Sequence, residues 1–362
     1  SGTGSYDMET GGNIDDVLKT LDASANTGGV TFTATVGTGA TLTGGTGNDV
    51  LTGAAGNDVV SGGAGDDTLA MGSGGIDNID GGAGNDTITV SGLTSDDSIT
   101  GGDGVDTLVI SAAIAYDDEA TPTAIDDAVN ISGFEVLRAS AALSQDMAAL
   151  SGIVALQTTG GVFTATEASG IADFTAYGLT DLSAASGLDM KLATDGTADA
   201  LNIHLGQDAA QTNASAVTID ATQIETAVIA SLGKDGNIIT DFEADSLTKL
   251  TVTGSKTLSV TLNDSLAVAT IPLTTVDASA FTGDSLTITA VEADSGVTVT
   301  TGSEALSVTV GDGANNITGT TGADTITTGS GADTIVSYGG DDTIEAGDGV
   351  NTITGTDGEN DI

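Results

Sequence analysis

A nine-residue period dominates this sequence. From Gly44 onward the pattern G-G-x-G-x-D-x-U-x, in which U is a large aliphatic residue, repeats as GGTGNDVLT, GAAGNDVVS and GGAGDDTLA. It continues to Val109 with a one-residue slip at Met71 and one degenerate copy, GLTSDDSIT, and a second block begins at Val310. The aliphatic ladder of the second block is Ile317, Ile326, Ile335, Ile344, Ile353 and Ile362. Such a period indicates a stack of short units, each of which buries its apolar face only against its neighbours.

Each repeat combines the residues of a tight turn with those of a very short strand. Glycine tolerates positive φ and close backbone approach, so the first six residues can form a turn with inward-pointing carbonyls. The last three form a strand with U facing inward, often flanked by threonine, as in Thr87-Ile88-Thr89. One repeat is then half a coil, and equivalent residues two repeats apart lie about 4.8 Å apart along the stack. Stacked carboxylates repel at that spacing, so the coils are predicted to close around a cation.

The charge balance supports the same reading and excludes some partners. The 362 residues include 52 acidic and six basic ones, a formal net charge of −46, which repels nucleic acid and anionic lipid. The hydrophobic fraction of 39% is too high for a permanently disordered chain. No run of about 18 apolar residues is present, so no membrane span is predicted. The absence of cysteine excludes disulfides and thiolate metal sites.

The repeats resemble the RTX (repeats-in-toxin) family, whose nonapeptides bind Ca²⁺ between successive turns. The resemblance implies that the sixth position supplies side-chain oxygen and the glycine-rich turn supplies carbonyls. Oxygen ligands on a flexible loop suit Ca²⁺ better than Mg²⁺ or zinc, so several Ca²⁺ ions are the predicted cofactor. The predicted ligands are Asp49, Asp58, Asp67, Asp77, Asp86, Asp97, Asp106, Asn315, Asp324, Asp333, Asp342, Asn351 and Asn360. The alternative is a metal-free turn, because Asp and Asn favour turns without any ion.

Departures from the pattern predict unequal sites. Three of the six sixth positions in the second block are Asn, which keeps a carbonyl oxygen but loses the charge. A site with Asn is therefore expected to bind Ca²⁺ more weakly than one between two aspartates, such as Asp49 and Asp67. In the degenerate repeat Ser95 replaces a glycine, which puts the sites flanking Asp97 in doubt.

The predicted fold is all-β: a right-handed parallel β-roll or β-helix with calcium-binding turns and a few short helices. The predicted segments are an N-terminal cap at 1–43, a first repeat block at 44–110, an irregular part at 111–190, a Thr/Val-rich β-helix at 191–309 and the second block at 310–362. Short helices are predicted in NIDDVLKTLDAS, ALSQDMAALSG and ATEASGIADFTAYG. The acidic stretch at 111–130 is a loop or a further cation site, with the candidate ligands Asp117, Asp118, Glu119, Asp126 and Asp127.

A second resemblance concerns the segment between the repeat blocks. ISGFEVLRASAALSQDMAALSG, from Ile131 to Gly152, is similar to segments of self-assembling surface-layer (S-layer) proteins of Gram-negative bacteria. This implies a secreted, extracellular protein, exported by type I secretion, that assembles with copies of itself and uses Ca²⁺ for folding and for lattice contacts. The sequence starts without an initiator Met and stops within a repeat, so it is expected to be part of a longer chain. Cell-surface polysaccharide or lipopolysaccharide would be bound by regions outside it.

Other functions are also compatible with the repeats. The chain could be an RTX adhesin, a biofilm-matrix protein or the calcium-binding secretion module of a larger secreted enzyme. The sequence itself predicts no enzyme, because neither H-E-x-x-H nor G-x-S-x-G occurs and His204 and Arg138 are the only His and Arg. His204 is interpreted as a structural side chain. Asp181, Asp208 and Asp284 are interpreted as solvated surface residues.

Overall fold

The regular structure of this chain is β-strand. The computed structural model describes residues 6–7, 19–34, 37–94, 96–114, 130–147, 150–158, 162–168, 173–176, 186–192, 199–205, 217–233, 236–263, 271–302, 305–358 and 360–362. Within these residues there are thirty-three strands and no α-helix. No helix in this described part is long and apolar enough to cross a membrane.

The strands are short and follow one another at close intervals. The first sixteen are β1 (Tyr6–Asp7), β2 (Thr20–Asp22), β3 (Val30–Thr33), β4 (Thr41–Thr43), β5 (Val50–Thr52), β6 (Val59–Ala64), β7 (Thr68–Ala70), β8 (Asn78–Ala83), β9 (Thr87–Thr89), β10 (Ser98–Asp103), β11 (Thr107–Ile110), β12 (Ile131–Ser132), β13 (Val136–Ala139), β14 (Leu143–Asp146), β15 (Ala155–Thr158) and β16 (Val162–Ala168). The others are β17 (Asp173–Ala176), β18 (Ser186–Leu192), β19 (Ala200–Leu205), β20 (Val217–Asp220), β21 (Thr226–Ser231), β22 (Asn237–Glu243), β23 (Lys249–Gly254), β24 (Leu258–Asn263), β25 (Thr275–Phe281), β26 (Leu286–Ala290), β27 (Thr298–Thr301), β28 (Leu306–Val310), β29 (Asn316–Thr318), β30 (Thr325–Thr327), β31 (Thr334–Gly339), β32 (Thr343–Glu345) and β33 (Thr352–Asp357).

The chain forms two compact units, Ser1–Gln157 with Thr166–Gly170 and Thr158–Ala165 with Ile171–Ile362. In the first unit each strand from β1 to β11 pairs in parallel with the next but one, which gives one row of β1, β3, β5, β7, β9, β11 and β13 and a separate sheet of β2, β4, β6, β8, β10 and β12. Val50 pairs with Thr68, 18 residues later, so two repeats make one coil as predicted. This unit is therefore a parallel β-solenoid.

The second unit is also a parallel solenoid, but its coils change in size. One of its sheets runs from β17 through the odd-numbered strands to β33, and the other runs from β18 through the even-numbered strands to β32. Leu201 pairs with Ala227, a coil of 26 residues, whereas Ile317 pairs with Ile335, a coil of 18. The wide coils have strands of up to seven residues, and the nonapeptide coils mostly have strands of three.

An aliphatic ladder fills the core of each unit. The three-residue strands of the repeats bury only their central residue, whereas β24 buries Leu258, Val260 and Leu262. In the first repeat block the ladder, with every side chain fully buried, is Leu42, Leu51, Val60, Leu69, Ile79, Ile88, Ile99 and Leu108. In the second block Ile317, Ile326 and Ile335 are fully buried as well. The all-β parallel solenoid predicted from the repeats is confirmed.

The predicted short helices are wrong wherever the structure describes them. Leu143–Asp146 is strand β14, and Val162–Ala168 and Asp173–Ala176 are strands β16 and β17. Gln145 shows why pairing overrides helix propensity here. Its buried side chain accepts a hydrogen bond from the N–H of Ile114 (2.7 Å) and donates one to the carbonyl of the same residue (2.9 Å).

The N-terminal prediction has a similar outcome. In NIDDVLKTLDAS, Thr20–Asp22 forms strand β2, and Leu21 pairs with Leu42 of β4, so this part is not helical. Residues 13–18 of that motif lie outside the described residues. The segment boundaries drawn from the sequence stay predictions.

Candidate calcium sites

The turns of the first unit bury one carboxylate in front of each repeat strand. The sixth repeat position lies two residues before the inward U residue and therefore faces the same side of the chain. Four of these aspartates precede strands of one sheet, at Asp49, Asp67, Asp86 and Asp106, and three precede strands of the other, at Asp58, Asp77 and Asp97. None has more than 2% of its surface exposed. The structure therefore stacks the sequence-predicted residues along two edges of the coil.

One oxygen of each carboxylate ties neighbouring coils together. The backbone N–H of Asp49 donates to Oδ1 of Asp67 at 2.7 Å, and the N–H of Asp67 donates to Oδ1 of Asp86 at 2.8 Å. On the other edge the N–H of Asp58 donates to Oδ1 of Asp77 at 2.8 Å. We call this chain of contacts the Oδ1 ladder. It satisfies a backbone donor that the turn would otherwise bury unpaired.

The second oxygen separates the aspartates into two groups. Buried Oδ2 atoms without any hydrogen-bond partner occur at Asp67, Asp77, Asp86, Asp106 and Asp342. In other turns a backbone N–H three or four residues earlier donates to Oδ2, as found for Asp49, Asp58, Asp97 and Asp324. A buried carboxylate oxygen without a partner is unfavourable unless a positive charge compensates it. The first group therefore has the oxygen donors that Ca²⁺ takes.

The first glycine of the repeat keeps the space beside these oxygens open. A Cβ added to Gly62 would collide with Oδ2 of Asp67 and meet the carbonyl oxygen of Gly81, one coil further on. A Cβ on Gly81 would likewise meet Oδ2 of Asp86 and the carbonyl oxygen of Gly101. Carboxylate and carbonyl oxygens of successive coils thus converge beside a residue that has no side chain. This donor set fits the ion that the repeats imply.

The same burial changes the proton affinity of the carboxylates. Burial raises the pKa of Asp67 to about 7, with a further contribution from the negative charges of Asp86 and Asp49. Burial also raises the pKa of Asp86 to about 6, and the charge of Asp106 adds to it. The pKa values of Asp77 and Asp106 are raised by burial as well. A proton or a metal cation would therefore stabilise these turns near neutral pH.

The second repeat block keeps the Oδ1 ladder although half of its sixth positions are Asn. The N–H of Asp333 donates to Oδ1 of Asn351 at 3.0 Å, and the N–H of Asp342 donates to Oδ1 of Asn360 at 3.1 Å. Asn serves here because it retains the accepting carbonyl oxygen. Asn315, Asp324, Asp333 and Asp342 are buried, Asn351 is half-buried and Asn360 is exposed.

Sequence reasoning missed Glu135, which ends the ladder of the first block. The N–H of Asp106 donates to Oε2 of Glu135 at 2.8 Å. Glu135 lies two residues before the buried Leu137, the same offset as the repeat aspartates, so the signal was present in the sequence. The absence of a glycine-rich turn in front of it concealed that register.

A second missed set lies at the fifth repeat position. The N–H of Asn85 donates to Oδ1 of Asp66 at 2.8 Å, and the N–H of Val105 donates to Oδ1 of Asn85 at 2.9 Å. These contacts are on the exposed side of the turn. The recurrence of Asn or Asp at this position in GND and GDD was the available signal.

The remaining candidates have ordinary surroundings or lie outside the described residues. His204 is half-buried on β19 and pairs in register with Thr175 and Ala230. The Nε of Arg138 donates to Oε1 of Gln157 at 2.8 Å. Asp284 is exposed, as predicted. The acidic residues Asp117, Asp118, Glu119, Asp126 and Asp127, and also Asp181 and Asp208, lie outside the described residues.

Comparison with known families agrees with the geometry. Residues 37–69, 89–109, 309–344 and 336–362 match the RTX calcium-binding nonapeptide repeat. No curated protein matches the chain. The first match starts before Gly44, in agreement with the fully buried Leu42, whose half-coil has Ala40 at the sixth position. Each unit therefore contains a block that matches the RTX repeat, and Ca²⁺ is the ion that such repeats bind.

The metal-free fold is expected to gain stability on acidification. The raised pKa values mean that the folded state binds protons more tightly than the unfolded state, whose aspartates titrate near 3.8. This contribution is fully present below that value and is lost as pH rises through about 6 to 7. In calcium-free buffer, the β-structure signal measured by circular dichroism should therefore rise between pH 8 and pH 5.

The double variant Asp67→Asn with Asp86→Asn provides the control for this experiment. It lacks the two carboxylates with the largest pKa shifts and should show a smaller rise of the β-structure signal. A wild-type signal that is unchanged or falls on acidification would contradict the assignment.

A methyl group at the first repeat position is expected to disturb a site, because it would clash with both a carboxylate oxygen and a turn carbonyl. Gly62→Ala places a Cβ against Oδ2 of Asp67, whereas Gly37→Ala meets no atom within 4 Å. Overpacking of this kind costs about 1–3 kcal/mol. The Ca²⁺ concentration at the folding midpoint should rise for Gly62→Ala and stay unchanged for Gly37→Ala. Equal midpoints for both variants would show that this space holds no ion.

Proposed function

We propose that this chain is a calcium-dependent structural component of the bacterial cell surface and a subunit of a self-assembling S-layer. The observation that carries the calcium part is the row of buried, unpartnered Oδ2 atoms at Asp67, Asp86 and Asp106 on one edge of the first unit. The lattice part is supported by the resemblance of Ile131–Gly152 to S-layer segments. The parallel solenoid of each unit provides a surface of stacked coils on which such contacts can be built.

The proposed ligands follow from the donor geometry. Each of the carboxylates with a free Oδ2 would hold Ca²⁺ together with turn carbonyls such as those of Gly81 and Gly101. When bound, Ca²⁺ supplies the positive charge that neutralises the superposed carboxylates. The protein contributes the spacing, because the Oδ1 ladder fixes successive aspartates one coil apart.

Calcium binding and folding would then be one reaction. With a net charge of −46, the chain opposes its own compaction until cations compensate the buried carboxylates. At the low Ca²⁺ concentration of the cytosol the repeats would stay unfolded, which suits export through a type I channel. Outside the cell the higher Ca²⁺ concentration would fold them, since binding free energy becomes folding free energy.

Circular dichroism with Ca²⁺ and with EGTA tests the coupling. The β-structure signal should appear with Ca²⁺ and be largely lost with EGTA. Asp86→Ala removes both a ladder acceptor and a free Oδ2, so its folding midpoint should move to a higher Ca²⁺ concentration. Asp284→Ala, which removes the same charge from an exposed site, should fold like the wild type. Equal β content in both buffers would refute calcium-coupled folding.

Electron microscopy of the purified protein after addition of Ca²⁺ tests the lattice separately. Ordered two-dimensional sheets are expected for an S-layer subunit, and they should dissolve in EGTA. Isolated rods that fold with Ca²⁺ but do not assemble would favour an RTX adhesin or a passive secretion module. That result would remove the S-layer assignment and leave calcium-coupled folding intact.

A further inference from the structure

The two edges of the second repeat block differ in what fills their turns. One edge consists of the turns that precede β29, β31 and β33, with Asn315, Asp333 and Asn351 at the sixth position. We call it the amide edge. The opposite edge has Asp324, Asp342 and Asn360 at the equivalent positions.

The side-chain amide of Asn315 donates hydrogen bonds to the oxygen atoms that would otherwise coordinate a cation. Its Nδ2 lies 3.2 Å from the carbonyl oxygen of Gly311, 3.2 Å from that of Gly313 and 3.0 Å from Oδ1 of Asp333. Asn315 is 1% exposed, so these contacts are shielded from water. Two turn carbonyls and the neighbouring carboxylate are thus already paired with N–H groups.

Asp333 keeps no free oxygen. Its Oδ1 accepts the backbone N–H of Asn315 at 2.9 Å, and its Oδ2 accepts the hydroxyl of Thr328 at 2.8 Å. Thr328 occupies the first repeat position, which is glycine throughout the first block, and it is 4% exposed. The hydroxyl therefore fills the space that Gly62 and Gly81 leave open in the first unit.

Asn351 repeats the arrangement one coil further on. Its Nδ2 donates to the carbonyl oxygen of Ala346 at 2.8 Å, and its Oδ1 accepts the N–H of Asp333 at 3.0 Å. At the sixth position of three successive turns the amide edge thus has a single carboxylate, Asp333, so no two buried like charges are stacked there; Asp312 and Asp348, at the third position, are exposed. No side-chain oxygen or nitrogen of Asn315, Asp333 or Asn351 is buried without a partner.

We propose that the amide edge closes without a cation, with amide and hydroxyl hydrogens in place of Ca²⁺. A bound cation would have to break the hydrogen bonds of Asn315 and Thr328 and would face N–H groups instead of lone pairs. The opposite edge differs, because Oδ2 of Asp342 and Oγ of Ser337 are buried there without a hydrogen-bond partner. The second block therefore takes up Ca²⁺ on one edge only, whether or not the protein forms a surface layer.

Counting bound Ca²⁺ in a matched pair of variants tests this inference. Asp333→Asn and Asp342→Asn make the same substitution in the same block at side chains that are both 1% exposed. Equilibrium dialysis with ⁴⁵Ca²⁺ should give the wild-type number for Asp333→Asn and at least one ion fewer for Asp342→Asn. Loss of an ion in Asp333→Asn would overturn the proposal.

The reverse substitution should create a further Ca²⁺ site. Asn315→Asp replaces the donor with a carboxylate next to Oδ1 of Asp333, so equilibrium dialysis should count at least one ion more than in the wild type. A variant that binds only the wild-type number of ions would contradict the inference.

Discussion

The hydrogen bond from a backbone N–H to a carboxylate one coil further along is the contact on which the repeat blocks depend. It sets successive turns in register, and it brings carboxylates as close together as parallel strands allow. The remaining oxygen of Asp67, Asp86 and Asp106 is then buried without a partner. Packing of the aliphatic ladder and repulsion between the carboxylates therefore arise from the same geometry. Any stable form of these coils has to place a cation, a proton or a hydrogen-bond donor beside the Oδ2 atom of these aspartates.

The chain meets this requirement in different ways along its length. In the first unit, free Oδ2 atoms beside glycine carbonyls leave room for a metal ion. On the amide edge, the side chains of Asn315 and Thr328 donate hydrogen bonds to the carboxylate of Asp333. In the wide coils of the second unit, threonine side chains link neighbouring coils. The hydroxyl of Thr248, for example, donates to the carbonyl of Glu225 at 3.0 Å. The solenoid is thus continuous in its strand pairing within each unit but varied in what stabilises its turns.

Much of this could be read from the sequence, and the failures have physical causes. The period of nine placed the buried ladder and the aspartates correctly, because stacking leaves a repeat few alternatives. The helix predictions failed at Leu143–Asp146 because the local composition says nothing about the pairing of Gln145 with Ile114. The repeat consensus also does not show which carboxylate oxygen of an aspartate accepts a hydrogen bond from a backbone N–H. Asn315 was expected to weaken a site, whereas its contacts show an amide occupying the turn.

The slip at Met71 has a consequence for how such chains can change in length. Partners in the Oδ1 ladder are separated by 18 residues at Asp49, by 19 at Asp67 and by 20 at Asp86, and the bond has nearly the same length in all three cases. The extra residue Met71 is buried, and its N–H donates to the carbonyl of Thr89 in the next coil, so the inward face of the following strand is unaltered. Chains of this kind can therefore differ in length by single residues as well as by whole repeats without a change in architecture.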